Sequence, residues 1–329
     1  MMSAHPPLSD IRPPTRGDLP EVVDLLNAID VAEIGHPDST AEDLQSDWGE
    51  AGFDLAGDAW LAVGADGEPT GYAYAGDQFR TGELEGDVFV HPEGGEPGLA
   101  RRLLDLVERR AAELAAERDY PEPRLSIFAF GGNAAKRRLL EEGGYTLQRR
   151  VLRMAADLGA VTPRLEAPDG VEIRPFRPSV DERIMRDVMN ESFADHFRQS
   201  EEPFEAWRRR LVEHPDFDPA LWLLAWAAAG AADETGEQAV GAVIAYDHGD
   251  LGWVKGLGVL RPWRRRGVGG ALLSYVFAAL LARGQARVEL GVDADAATRA
   301  LEVYERAGMH VAHEYLLYQR TLSRDRRLS

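Results

Sequence analysis

The sequence predicts an α/β or α+β protein, a sheet flanked by helices, in two tandem copies. Three observations carry this. Strand-like alternation and helix-like periodicity interleave along the chain. The pattern recurs at about half the chain length. Between the two copies, Ala156 to Gly170 is rich in Ala, Pro, Gly and Asp and reads as a linker. The expected boundaries are residues 1–157 for the first domain, 158–169 for the linker and 170–329 for the second domain.

Each half reads as strand, helices, three strands, helix, strand, helix, strand. Ile11-Arg12-Pro13 opens the first copy and Ile173-Arg174-Pro175 the second. Gly71 to Tyr74 matches Gly241 to Ile244, a strand after a turn. Val90, Gly98, Leu103 and Leu104 line up with Val259, Gly267, Leu272 and Leu273 at one constant offset. In the second copy Leu251 to Leu260 reads as a strand. The following helix, Ala271 to Ala282, gathers Leu272, Leu273, Val276, Phe277, Leu280 and Leu281, and Gly284 ends it. Val288, Leu290 and Val292 alternate as a strand, Ala297 to Ala307 is a helix stopped by Gly308, and Val311 to Tyr318 closes the copy. The first copy offers Leu99 to Arg118, Leu125 to Phe130, Asn133 to Glu142 and Tyr145 to Met154 for the same elements.

Composition narrows the function. The 329 residues carry 37 basic and 56 acidic side chains, a net charge of −19, which disfavours nucleic acid or an anionic membrane as partner. No run is long and apolar enough for a membrane span. Cysteine is absent, so thiol nucleophiles, disulfides and thiolate metal sites are excluded, and no metal is expected. Met1 to Leu8 is polar and proline-rich with no apolar export core, so a cytoplasmic protein is expected. Lysine occurs only at positions 136 and 255.

Against this acidic background, Arg264-Arg265-Arg266-Gly267-Val268-Gly269-Gly270 is a local basic exception between a strand and a helix. Glycines let backbone amides approach an anion, and the helix start adds unsatisfied donors and a positive dipole end. The simplest reading is a seat for a diphosphate, although a solvated basic turn has the same composition. The spacing fits neither Gly-Lys-Ser/Thr nor Gly-x-Gly-x-x-Gly.

Arg264-x-x-Gly267-x-Gly269 resembles the Gln/Arg-x-x-Gly-x-Gly/Ala signature of the GCN5-related N-acetyltransferase (GNAT) superfamily. Leu257-Gly258-Val259 before it and Tyr304 to Met309 after it stand where that family has its strand end and its late helix. The tandem layout is similar to that of actinobacterial mycothiol synthase relatives. The resemblance implies, for each copy, a mixed and mostly antiparallel sheet flanked by helices, with acetyl-CoA as co-substrate and a small-molecule amine as acceptor. It implies that Arg264, Arg265, Arg266, Gly267, Val268, Gly269 and Gly270 cradle the diphosphate. The pantetheine arm would run beside Leu257, Gly258 and Val259, whose backbone would also polarise the thioester carbonyl. Gly256 and Gly258 would allow that close approach. Tyr304 would protonate the leaving thiolate, although its shared face with Ala300 and Ala307 also suits a core residue. Ala296 and Ala297 replace an asparagine common in relatives, leaving Thr298 to supply some of its hydrogen bonding.

No general base stands out. The fourth strand offers Trp253 and Lys255 rather than a glutamate, and Lys255 suits an edge or cleft-lining charge; Glu191, Asp195, His196, Asp250 and Asp293 are all candidates. The tryptophans at 207, 222 and 226 suit core packing, and His214 a loop. In the first copy Gly95 replaces the arginine, Glu96 adds a negative charge, Pro97 removes a donor, and Leu140 stands in for Tyr304. The second copy is therefore expected to catalyse and the first to be degenerate. The functional expectation is an N-acetyltransferase acting on a primary amine. Its alternatives are acetylation of a cysteinyl amino-sugar in the manner of mycothiol synthase, a non-catalytic acyl-CoA-binding regulator, or an interaction protein that has lost the ligand. The sequence fits a monomer and a homodimer equally.

Overall fold

The computed structural model describes residues 9–50, 52–78, 80–194, 203–228, 236–249, 251–294 and 300–322. The first copy contains β1 (Asp10–Arg12), α1 (Leu19–Ile34), α2 (Ala41–Asp47), α3 (Leu55–Asp58), β2 (Ala59–Val63), β3 (Pro69–Gly76), β4 (Glu83–Val90), α4 (Leu99–Glu117), β5 (Arg124–Phe130), α5 (Ala134–Glu142) and β6 (Thr146–Asp157). The second contains β7 (Val171–Pro175), α6 (Glu182–Phe193), α7 (Phe204–Leu211), β8 (Leu223–Ala228), β9 (Glu237–Asp247), β10 (Gly252–Val259), α8 (Val268–Ala282), β11 (Arg287–Asp293), α9 (Ala300–Arg306) and β12 (His310–Thr321). The order of elements is the one the sequence predicts for both halves.

Two compact units emerge, and their boundaries differ from 1–157 and 170–329. One unit is residues 1–150 with 313–329, and the other is residues 151–312. The difference lies in the closing strands. In the first unit the strand order is β1-β2-β3-β4-β5-β12, and in the second it is β6-β11-β10-β9-β8-β7. β12 runs antiparallel to β5, with Tyr315 opposite Phe130 and Thr321 opposite Arg124. β6 runs antiparallel to β11, from Val151 opposite Asp293 to Asp157 opposite Arg287. Each half of the sequence thus closes the sheet of the other. The ends match: Leu158 N–H donates to Ala286 C=O (2.8 Å), and Leu322 N–H donates to Pro123 C=O (2.8 Å).

Packing explains why each borrowed strand stays. Leu316, Tyr318 and Leu322 join Leu103, Leu104, Val107, Leu125 and Ile127 in the first unit's core. Leu152, Met154, Ala156 and Leu158 join Val240, Val276, Phe277 and Leu290 in the second. At the β6–β11 pair the buried Glu289 carboxylate is bonded by Arg153, and Arg287 Nε reaches it at 2.5 Å. Removing either cation would leave a buried charge short of partners. Segment 159–170 contains no helix or strand; within it the Leu165 C=O accepts a hydrogen bond from the Tyr275 hydroxyl of α8 (3.3 Å).

Inside each unit the mixed sheet is mostly antiparallel. The parallel contacts are β4 with β5 and β10 with β11. α4 buries Leu99, Leu103, Leu104, Val107, Ala111 and Leu114, a repeat of three and four residues that fits one helical face. No described helix is long and apolar enough to cross a membrane.

The exchange predicts an outcome. A chain cut at 157 keeps every strand of the first copy's sequence but lacks β12, so the β5 edge and its apolar neighbours are uncovered. Residues 1–157 expressed alone are expected to lack the fixed near-ultraviolet circular dichroism of a packed core. A cooperative melt of that fragment at the full-length midpoint would contradict the exchange.

Candidate active site

The site begins with one extra residue. β10 pairs with β9 antiparallel, and the register shifts between Val254, opposite Ala245, and Gly256, opposite Ile244. Lys255 is the unmatched residue, a β-bulge, which bends a strand and interrupts its ladder. On the other edge, β10 pairs with β11 only over Gly252–Val254. Beyond Val254 the two parallel strands part.

The backbone on that edge has a defined polarity. Leu260 N–H donates to Val240 C=O (3.0 Å), so Leu260 faces β9. Amides alternate sides along a strand. Gly256 and Gly258 therefore also face β9, while the amides of Leu257 and Val259 point away from it, into the opening. The carbonyl of Val259 on that side accepts Arg264 Nε (3.0 Å), and Arg264 Nη2 continues to the Ser192 C=O of α6 (3.0 Å). The guanidinium expected in the anion seat is instead a clamp holding the end of β10 to α6.

Gly256 and Gly258 also have a different use from the one expected. A Cβ at Gly258 would lie 2.8 Å from Ser192 Cβ, and one at Gly256 would lie 2.6 Å from Met189 Cε. Their bareness lets α6 press on the strand from one face. The room is taken by protein, not reserved for a ligand.

After β10, a single turn over Arg261–Trp263 leads to the arginine–glycine loop. Arg265 (φ +62°) and Gly267 (φ +87°) both adopt the left-handed region, and Gly267 precedes the first residue of α8 with no side-chain cap. The helix starts at Val268, three residues earlier than the sequence predicts. Gly269 and Gly270 are therefore in its first turn, where the amides of Val268, Gly269 and Gly270 have no carbonyl partner within the helix. A Cβ at Gly270 would meet nothing within 4 Å, and one at Gly269 would make ordinary contacts with Val303, Val259 and Leu257. Arg265 and Arg266 are exposed, and Arg266 lies over the Trp263 ring (4.8 Å). The arrangement offers a cluster of amides, a helix dipole and two exposed guanidinium groups to an anion.

Tyr304 on α9 is buried in the second unit's core, and burial pushes its phenol up to about 12. Its neighbour Val303 approaches Gly269. Thr298, with Ala296, Ala297, Asp195, His196 and Asp250, lies outside the described residues. Glu191 is exposed on α6 and Asp293 ends β11. Lys255 has an open surface, yet desolvation, followed by the neighbouring Arg210, lowers its pKa. Trp207 and Trp222 are buried, edge to face at 6.2 Å, as core residues. His214 Nδ1 accepts Asp216 N–H (3.1 Å) in a loop.

The first unit lacks this construction. β4 pairs with β3 in unbroken register from Gly71–Val90 to Gly76–Glu85. Gly98 keeps the left-handed cap (φ +89°). The loop before it, however, holds its own anion. Glu96 accepts the Ser9 amide (2.5 Å) and pairs with Arg102, and its side chain is almost fully buried.

Comparison with known proteins shows the family and the fold. Residues 185–309 match the acetyltransferase (GNAT) family. The chain is 33% identical over 316 residues to the mycothiol acetyltransferase of Geodermatophilus obscurus, covering 93% of this chain and 96% of that protein. Among solved structures, a GCN5-related N-acetyltransferase from Sphaerobacter thermophilus superposes with a TM-score of 0.82 at 32% identity, over 95% of this chain and 96% of that one. A tandem GNAT protein from the clavulanic acid biosynthesis pathway shares the fold, with a TM-score of 0.69 at 16% identity, over 96% of this chain and 99% of that one.

Two glycines of the site are expected to respond in opposite directions. Gly258→Ala drives a methyl into Ser192 and should cost about 1–3 kcal/mol of stability. Gly270→Ala adds helix propensity in open space and should gain about 0.5–1 kcal/mol. Urea unfolding of both variants reads the difference.

Proposed function

The chain belongs to the GNAT acetyltransferase family, and on that premise we propose that its second unit transfers acetyl from acetyl-CoA to the primary amine of a small molecule. The observation that carries this reading is the bulge at Lys255 followed by the left-handed loop into α8. Together they give one opening both inward-facing amides and an anion seat, and the first unit has no such bulge.

Val268, Gly269 and Gly270 would hold the diphosphate through their amides, with Arg265 and Arg266 adding charge. Arg264 acts as a positioning residue through Val259 and Ser192. The Leu257 and Val259 amides would take the developing oxyanion of the thioester carbonyl when the neutral amine attacks. As the carbon–nitrogen bond forms and the carbon–sulfur bond breaks, Tyr304 would give its phenol proton to the departing thiolate, and the proton shed by the acceptor nitrogen would return to the phenolate through solvent. Its raised pKa keeps that proton in place at neutral pH. The first unit, with Glu96 occupying its own loop, is assigned no transfer.

One acceptor is favoured by the near-complete alignment with a mycothiol acetyltransferase. It is the amine of a cysteinyl amino-sugar, tested against other primary amines in a panel assay for released CoA.

Tyr304→Phe is expected to lower kcat about 10- to 100-fold with little change in acetyl-CoA affinity. The acid form is the active one and its pKa is raised, so the wild type should show no falling limb from Tyr304 below about pH 11. Unchanged turnover in the phenylalanine variant would remove Tyr304 from the mechanism. Replacing Gly267 by valine puts a branched side chain at φ +87° and should abolish acetyl-CoA binding in calorimetry. Wild-type affinity there would reject the assigned seat.

A further inference from the structure

The first unit contains a cavity of about 320 Å³ between α1, α2 and the β3–β4 face. Its walls carry five acidic residues, Asp30, Asp47, Glu50, Asp77 and Glu85, and no lysine, arginine or histidine. Between them stand the rings of Trp48, Phe53, Tyr72, Tyr74 and Phe89. Tyr72 stacks on Phe89 (6.2 Å) and accepts the Trp48 indole N–H (2.9 Å), so the aromatic wall is fixed.

The nearby cations stand outside the cavity lining. Lys136 pairs with Asp87 while lying over the Phe89 ring, and Arg118 pairs with Asp77. Arg80 reaches Gly52 without lining the cavity. Asp77 lines the cavity without presenting its carboxylate to it, because the side chain is fully buried. The residue as a whole is 9% exposed, its Oδ2 is taken by Arg118 and the Tyr120 hydroxyl, and its buried Oδ1 has no hydrogen-bond partner. A buried carboxylate oxygen without a donor is costly. Burial, with repulsion from Asp43, raises the pKa of Asp47, and burial, with repulsion from Asp47 and Glu85, raises that of Glu50. Among the described residues no three carboxylate or imidazole groups stand close enough to share a metal ion.

We propose that this cavity binds a small organic ammonium ion bearing more than one positive charge, its alkyl body against the rings and its nitrogens toward Asp30, Asp47 and Glu50. Rings and carboxylates together suit a cation with apolar carbon between its charges, through cation–π and charge-assisted contacts. A hydrated metal ion would use only the carboxylates. The site belongs to the unit assigned no chemistry, and the inference does not rest on the acceptor of the second unit.

The test is calorimetric titration of the full-length protein with spermidine and putrescine, without acetyl-CoA, beside magnesium chloride. The proposal expects saturable binding of one amine per chain that magnesium at equal ionic strength does not displace. The double variant Asp47→Asn, Glu50→Gln should weaken it about ten-fold or more. Its thermal midpoint should stay at or above the wild-type value, because two repelling charges are gone. Asp30→Asn, which can keep its bond to Ser39, serves as a second variant and should weaken binding in the same direction. Absence of saturable binding, full displacement by magnesium, or unchanged affinity in either folded variant would overturn the proposal.

Discussion

The inserted Lys255 in β10 is the constraint on which the second unit depends. Without the register shift, β10 would continue beside β11 and its outward amides would join the ladder. With it, the strands part after Val254 and two amides face an opening. A bulge of this kind needs support, because an interrupted ladder is weaker than a continuous one. Support comes from three directions. α6 presses on Gly256 and Gly258, Arg264 ties the Val259 carbonyl to α6, and β9 holds the far edge through Leu260. Tertiary contacts thus maintain a backbone shape that local pairing alone would not select.

The first unit shows the same scaffold without that device. Its strand register is continuous, and a glutamate neutralised by Arg102 and Ser9 stands in its loop. Gly98 and Gly267 adopt nearly the same conformation, yet one follows a loop that holds its own carboxylate and the other a loop edged with arginines. The left-handed glycine belongs to the fold, and the residues around it decide what the loop can bind. The first unit's polarity is reversed as well. Its prominent concavity is lined by carboxylates and rings, where the second unit offers amides and guanidinium groups.

Much of this was legible in the residues. Periodicity and glycine punctuation placed the elements, and the repeat placed both loops. The strand exchange was not legible, because Leu152, Met154 and Ala156 alternate in the same way as Leu316 and Tyr318. Either strand satisfies an apolar half-buried position, and alternation does not say which sheet it will join. The bulge was hidden for a related reason: Lys255 looks like one more residue of a strand until its partner strand is counted. The role of Arg264 was misread because composition reports a charge but not its direction. The glycines at 256 and 258 correctly signalled close approach, but the approaching body is α6. The aromatic–acidic cavity left no linear signal, since its walls come from segments scattered between Leu26 and Phe89.

The exchanged closing strands also govern the order of events in synthesis. Tyr318 must find Ile127 across the whole sequence of the second unit, a contact of high sequence separation whose loop-closure cost falls on folding rate. A nascent chain can finish the second unit once Ala312 has emerged, because every strand of that unit is then available. The first unit waits with the β5 edge open until β12 leaves the ribosome. N-terminal domains commonly fold first during translation. Here the earlier-made half completes last, and its unpaired edge is the stretch that a chaperone or a second nascent chain would meet.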